Sequence, residues 1–349
     1  MILKELSEAV GVSGDEGEVR AVVLDAVRAH VDDVRVDTMG NVLAFKRGTG
    51  RSTSGGNRLR VMVSAHMDEI GLMVVGHDGD GFLQVRAVGG IDPRLLPGTL
   101  FQIGPDRIPG IIGVKPIHLT EADEMEKVLQ IKDLVVDIGA KSKDEAKNLA
   151  PVGTYGTFAT KFRENEPTVS GKAFDDRAGC AVLVELLRGE RLRFDLHAAF
   201  TVQEEVGLRG AGVAAYAIEP DCAFALEGTI ADDIPKDKDV SPTTQLGKGP
   251  AITVMDHSVI SDRRLLRLLP STADELGIPY QFKQPGIGST DAGAIHRSRA
   301  GVPSVTVAVP SRYIHSPVGL LSLEDFDNTV RLMRESLSRL TRRMLSHPA

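Results

Sequence analysis

Five short stretches of the 349-residue chain bring together imidazoles and carboxylates that could do chemistry. The apolar run 59–65 is followed by His66, Met67, Asp68 and Glu69, and the run 196–202 leads into Gln203, Glu204 and Glu205. The run 223–226 stops at Glu227, the run 304–309 leads through a short loop to His315, and Asp175 and Asp176 stand where a helical pattern begins. Each stretch alone is weak, because a lone histidine or a pair of adjacent acids is ordinarily a core or solvated-surface feature. As a set they have few physical justifications. Carboxylates crowded at one locus repel one another, and burial disfavours their charged forms. Divalent cations remove the problem: three carboxylates and two neutral histidines around two dications and one hydroxide carry no net charge. Histidine and carboxylate ligands without thiolates suit zinc, cobalt or manganese in a hydrolytic site. Open coordination positions would take a nucleophilic water and a substrate carbonyl.

For these residues to meet, they must lie outside the carboxyl ends of neighbouring strands in an open α/β sheet. The chain carries the matching pattern. Residues 5–29 have helix-period apolar positions broken between Gly11 and Gly14, and VRVDTMGNVLAFKRG alternates around a Met-Gly-Asn turn as a strand hairpin does. The stretch 48–56 is poor in apolar residues and reads as an exposed loop tip. From about 71 to 167, short strand-like pieces (LMVVGH, FLQVRAV, LFQIG, IPGIIGV, DLVVDIG) alternate with Gly and Pro. They predict a small β-barrel or sandwich with one short helix near 142–148. After residue 170, strand candidates at 196–202, 222–226, 251–255, 280–283 and 304–309 alternate with helical patterns at 177–188, 207–217, 261–276 and 323–345. Ser322 and Asp325 open the last helix with capping-box spacing. The fold class is therefore α/β, a mixed and largely parallel sheet with flanking helices, plus an inserted small β-barrel-like domain. Residues 1–70 and 168–349 form the catalytic domain, and 71–167 the insertion.

Composition narrows the partners. The charged fraction is 26%, the hydrophobic fraction 42%, and the net charge of −7 is spread without an acidic tail or basic arm. That argues against nucleic acid or an anionic membrane as the main partner. Lys4 and Glu5 precede any apolar stretch that could serve as a signal peptide, and no run of 18 apolar residues occurs, so the expected compartment is the cytoplasm. Cys180 and Cys222 cannot build a disulfide framework or a four-thiolate metal site and read as reduced core residues. The 36 glycines, about 10% against a typical value of about 7%, imply many tight turns.

The motifs, in order, are GVSGDEGEVR, DTMGNVLAFK, SAHMDEIGLMV, VGGIDPRLLPG, GIIGVKPIHL, VDIGAKSKDEA, GKAFDDRAGCAVL, FTVQEEVGLRGA, GSTDAGAIH and YIHSP. Nearly the whole chain thereby resembles the M42 family of metal-dependent aminopeptidases, which includes tetrahedral and glutamyl aminopeptidases. The resemblance implies that Asp175 bridges two divalent ions, zinc or cobalt, or alternatively manganese. His315 and Glu205 would complete one site, and His66 and Glu227 the other. Glu204 would be the general base acting on a metal-bridging water, and Asp68 would orient the His66 ring. Many relatives carry Asp where this chain has Glu227, a ligand of the same chemistry and longer reach. The implied substrates are oligopeptides with a free N-terminus. The implied assembly is a dimer through the insertion, extending to a tetrahedral dodecamer.

Other chemically capable residues have plainer readings. Of nine histidines only His66 and His315 are assigned. His118 reads as structural within the insertion, while His257 and His296 stay unassigned. Asp291 either orients a site group or caps the helix that follows, and Asp176 either shapes the site or caps a helix. Arg94 reads as an interdomain or subunit contact. Two other functions compete: a metal-dependent deacylase of N-acyl amino acids, and a non-catalytic assembly protein on the same fold, against which the intact ligand set and Glu204 count. A cellulase-like activity would need paired carboxylates along a glycan groove, and a chain with no Trp offers little for sugars to stack on.

Overall fold

The computed structural model describes residues 1–50, 58–235 and 242–346. Its framework is an eleven-stranded sheet. Four strands at its centre, Asp195–Thr201, Arg60–His66, Cys222–Ile230 and Ser304–Arg312, lie side by side in that order and run parallel. Their sequences are nearly continuous apolar runs because both faces are covered. Alternation sends Val61, Val63, Phe200 and Phe224 to one face and Met62, Ala199 and Ala223 to the other. On the first face lie helices Ile2–Glu8, Gly17–Val27, Phe174–Arg188, Arg263–Leu276 and Leu323–Arg339. On the second lie Arg209–Ile218 and the short Ala292–Ile295. The hairpin Asp33–Val36 and Val42–Lys46 extends the sheet antiparallel at one edge, and Gly319–Ser322, Thr168–Gly171 and Arg163–Asn165 do so at the other.

Six further strands close into a barrel in the order Gly71–His77, Leu83–Val88, Val135–Asp137, Ile108–Ile112, Leu100–Ile103 and Tyr155–Phe158. Its interior is a separate core in which Phe101 and Phe158 meet at a ring separation of 4.8 Å. The short helix Lys143–Leu149 falls where the sequence predicts one.

Several expectations need correction. The sixth barrel strand and the strands Gly319–Ser322, Thr168–Gly171 and Arg163–Asn165 are only three or four residues long, too short for alternation to register. The strand expected to stop at Glu227 runs on to Ile230, because Ser304–Arg312 continues beside it as far as Ser311. The last helix ends at Arg339 rather than 345, where Leu340 turns extended and a 3-10 turn follows over Arg342–Leu345. Its capping box is half made. Ser322 Oγ accepts the Asp325 N–H at 3.3 Å, but the Asp325 carboxylate accepts Gly247 N–H at 2.6 Å and Gly249 N–H at 2.7 Å instead of reaching back. Positions 51–56 of the expected loop tip lie outside the described residues. Cys180 and Cys222 are buried free thiols. Among the described residues no helix is long and apolar enough to cross a membrane.

Candidate metal centre

Parallel register brings the chemistry to one end of the sheet. His66 lies opposite Thr201, and Ser64 opposite Ala225, so two residues further on Glu227 comes up beside His66. Beyond Thr201 the chain turns at Gln203, in the left-handed region at φ 58°, into Glu204 and Glu205. Ala173 before Phe174, and His315 itself, are also left-handed, at φ 56° and 55°. Such conformations cost side-chain-bearing residues about 1 kcal/mol or more each, and three of them cluster at the turns that present the site's side chains. Asp175 and Asp176 have non-helical dihedrals and a cis peptide between them, so the regular helix begins after them. Close approach dictates glycine at 228, where a Cβ would lie 2.7 Å from Asp175 Cα and 2.9 Å from Phe174 O.

The result is two ligand clusters that share Asp175. In the deeper one, His66 Nε2 lies 3.3 Å from Asp175 Oδ1 and 3.5 Å from Glu227 Oε2. In the outer one, His315 Nε2 lies 3.5 Å from Asp175 Oδ2 and 3.3 Å from Glu205 Oε1. The two differ in access: the His66 side chain is 1% exposed and that of His315 38%. Glu204 Oε2 stands 3.9 Å from His66 Nε2, beside the clusters rather than within them.

The rings are aimed from behind. His66 Nδ1 is 3.1 Å from the Asp68 carbonyl and 3.5 Å from its Oδ1. His315 Nδ1 is 2.9 Å from the carbonyl of Gly90, which lies just beyond barrel strand Leu83–Val88. A ring that donates from Nδ1 keeps a lone pair on Nε2, the atom facing the shared carboxylate in both cases.

Charge balance tests whether a metal fits. Burial pushes the Glu204 carboxyl well above the usual range against the pull of His66. Burial also raises Glu205, and raises Glu227 to about 7. Burial would neutralise His66 and His315, but the hydrogen bonds that both rings donate to Asp175, His66 to Asp68 and His315 to Glu205 outweigh it. The net effect raises His66 well above its ordinary value and His315 to about 11. Burial raises Asp175 too, yet the hydrogen bonds from the same two rings hold it below the usual carboxylate range. With protein groups alone, protons stand where positive charge is wanted. Two dications coordinated by deprotonated ligands supply that charge instead, so the donor set fits.

The structure brings together all seven residues singled out in the sequence: His66, Asp68, Asp175, Glu204, Glu205, Glu227 and His315. His118 sits exposed in the 3-10 turn Ile117–Leu119, away from both clusters. His257 is exposed, and His296 Nδ1 stays on its own helix, 3.0 Å from the Ala292 carbonyl. Arg94 folds onto Asp92, two residues away. Asp176 does both things open to it: Oδ2 accepts the His66 N–H at 3.1 Å, and Oδ1 caps the helix by accepting the Gly179 N–H at 2.9 Å.

Sequence reasoning missed three contributors. Ser13 donates its hydroxyl to Asp68 Oδ2 at 2.6 Å. Thr201 bonds Asp291 at 2.5 Å. A buried triad joins Lys172 Nζ to Glu69 at 2.6 and 2.8 Å and Arg177 to the same carboxylate at 3.1 Å, tying the 9–11 segment to the floor of the site. Charged residues on either side of the Asp175–Asp176 pair, Lys172 and Arg177, and Glu69 after Asp68 were the available signal.

Comparison with known proteins gives a coherent picture. A family model described as M42 glutamyl aminopeptidase matches residues 40–332, and another, described as AMPT, matches residues 2–22. A lysyl aminopeptidase of Pyrococcus furiosus is 36% identical, the match covering 97% of this chain and 96% of that protein. Among solved structures, an aminopeptidase of the archaeon Desulfurococcus kamchatkensis is similar with a TM-score of 0.92 at 36% identity, covering 99% of this chain and 95% of that one. A TET peptidase of Pyrococcus horikoshii gives a TM-score of 0.84 at 36% identity, covering 97% of this chain and 99% of that one.

Proposed function

The chain belongs to the M42 glutamyl aminopeptidase family, and from that premise we propose that it removes N-terminal residues from oligopeptides, with two divalent ions per subunit and Glu204 as general base. It is a peptide-bond hydrolase. The observation that carries the two-ion reading is the division of one carboxylate: Asp175 turns Oδ1 to His66 and Oδ2 to His315, at 3.3 and 3.5 Å. Each oxygen belongs to a separate triad, completed by Glu227 on one side and Glu205 on the other.

Zinc, cobalt or manganese bound there would polarise the scissile carbonyl and acidify a water. The rest is done by the chain's own groups. Glu204 takes a proton from the attacking water and hands it to the leaving amine. Its position is set by the backbone, since the Glu204 N–H is held by Asp68 at 3.0 Å. Asp68 and the Gly90 carbonyl keep the two imidazoles turned toward Asp175.

We further assign residues 71–167 to a separate inserted domain that mediates self-association. The Pyrococcus horikoshii relative can assemble into a tetrahedron or a large octahedral shell. The exposed apolar side chains Val114, Ile117, Leu119, Met125 and Val128 on the insertion support a homo-oligomer, and light scattering would detect it.

The test is a panel of amino-acid anilides, free and N-acetylated, offered to chelator-stripped protein reloaded with zinc, cobalt or manganese. Metal-dependent cleavage confined to free-amino substrates is expected. Release of acetate from the acetylated set with the anilide bond left intact would point to a deacylase. No cleavage by fully metal-loaded protein would point to a non-catalytic role.

A further inference from the structure

We infer that Asp291 is a positioning residue that fixes Glu227 so that a single carboxylate oxygen faces the metal centre; this rests on the two-ion reading above. Glu227 has one more methylene than an aspartate and, left free, could offer either oxygen or both. Its oxygens are instead divided. Oε1 accepts the backbone N–H of Asp291 at 3.0 Å, and Oε2 is the atom 3.5 Å from His66 Nε2.

The donor is itself pinned from two strands and from the loop beyond a third. Asp291 Oδ2 meets Thr201 Oγ1 at 2.5 Å, and Thr201 is in register with His66. Thr290 Oγ1 lies 2.9 Å from Thr306 Oγ1, and Thr306 is in register with Ala225, two residues before Glu227. Thr290 also donates to Asp256 Oδ2 at 3.0 Å, which anchors the loop just beyond strand Ala251–Thr253. A closed path thus runs from Asp291 through Thr201 to His66, across to Glu227 and back. Thr201 also leads directly into the turn that carries Glu204 and Glu205.

The alternative role is helix capping, and the geometry opposes it. Asp291 precedes helix Ala292–Ile295 yet makes no side-chain cap hydrogen bond. The residue is 1% exposed and its side chain is turned to Thr201, with Oδ1 buried and without a hydrogen-bond partner among the described residues. Burying a carboxylate with an unsatisfied oxygen is costly, a feature more in keeping with a site than with a four-residue helix.

The experiment is a zinc titration against a chromophoric chelator on the whole protein, comparing wild type with Asp291→Ala, Asp291→Asn, Thr201→Val and Thr201→Ser. Wild type should bind two equivalents. Asp291→Ala and Thr201→Val should each weaken one equivalent by about 10- to 100-fold and leave the other, held by Asp175, Glu205 and His315, within about threefold. Asp291→Asn and Thr201→Ser keep an oxygen at each end of the bond and should recover most of the loss. A double variant no worse than its worse parent marks the shared path. Wild-type-like affinity for both equivalents in Thr201→Val or Asp291→Ala overturns the inference, and Thr201→Val decides it if Asp291→Ala fails to fold. Fewer than two equivalents in wild type would overturn the two-ion reading instead.

Discussion

The carboxylate of Asp68 accepts the backbone N–H of Glu204 at 3.0 Å through Oδ1 and that of Glu205 at 3.2 Å through Oδ2. The same group takes the Ser13 hydroxyl at 2.6 Å and stands 3.5 Å from His66 Nδ1. One buried side chain therefore sets a ring and a turn that come from different strands. Asparagine at 68 would turn an amide N–H₂ toward a donor that now has an acceptor. Asp68→Asn should lower kcat/KM and zinc affinity by about 10- to 100-fold, and Ser13→Ala should have a smaller effect in the same direction. Kinetics and metal titration side by side check this, and parity of Asp68→Asn with wild type in both would refute it.

Glycine 228 should tolerate no side chain. Alanine there must displace the Asp175 backbone, 2.7 Å from the added carbon, and Asp175 serves both clusters. Gly228→Ala should cost about 1–3 kcal/mol of stability and depress binding of both ions together, unlike a change at Asp291. Native mass spectrometry of the metal-loaded variant reads the stoichiometry. Retention of two ions at wild-type affinity would contradict the packing argument.

Lys172, beneath the site, supplies a pH test on a residue that is not itself one of the candidate ligands. Burial lowers its ammonium from the usual 10.5 to about 8, against the pull of Glu69. Between pH 8 and 10.5 the unfolded chain holds a proton that the folded chain has lost, so this group makes stability rise with pH. Below pH 8 both states are protonated and the penalty is present in full. Denaturant unfolding at pH 7, 8, 9 and 10 should show wild type gaining on Lys172→Met by up to about 1.4 kcal/mol per pH unit above pH 8. A constant difference across the series would mean that the lysine is not titrating as described.

How much of this was legible in the sequence follows from the physics of each element. The central strands were readable because burial on both faces makes them continuous apolar runs, and His66 and Glu205 follow such runs closely. Glu227 comes up beside His66 although its strand does not end there, since strand length is set by the neighbouring Ser304–Arg312 rather than by local residues. Strands such as Arg163–Asn165 and Tyr155–Phe158 draw their order from partners distant in sequence. The contacts of Ser13, Thr201 and Asp291 were hidden for a related reason. A hydroxyl or carboxylate has the same one-dimensional signature whether it caps a helix, as Ser322 does, or holds the neighbour of a candidate metal ligand, as Thr201 does. Only the register between strands distinguishes them.

The central claim is that Glu204 moves the proton while the other acids hold the ions. Its most direct measurement is kcat of Glu204→Gln, loaded with metal to measured saturation, on a free-amino anilide. Two equivalents of metal should remain bound while kcat falls by about 10²- to 10⁴-fold. A doubly loaded Glu204→Gln enzyme turning over within tenfold of wild type would contradict it.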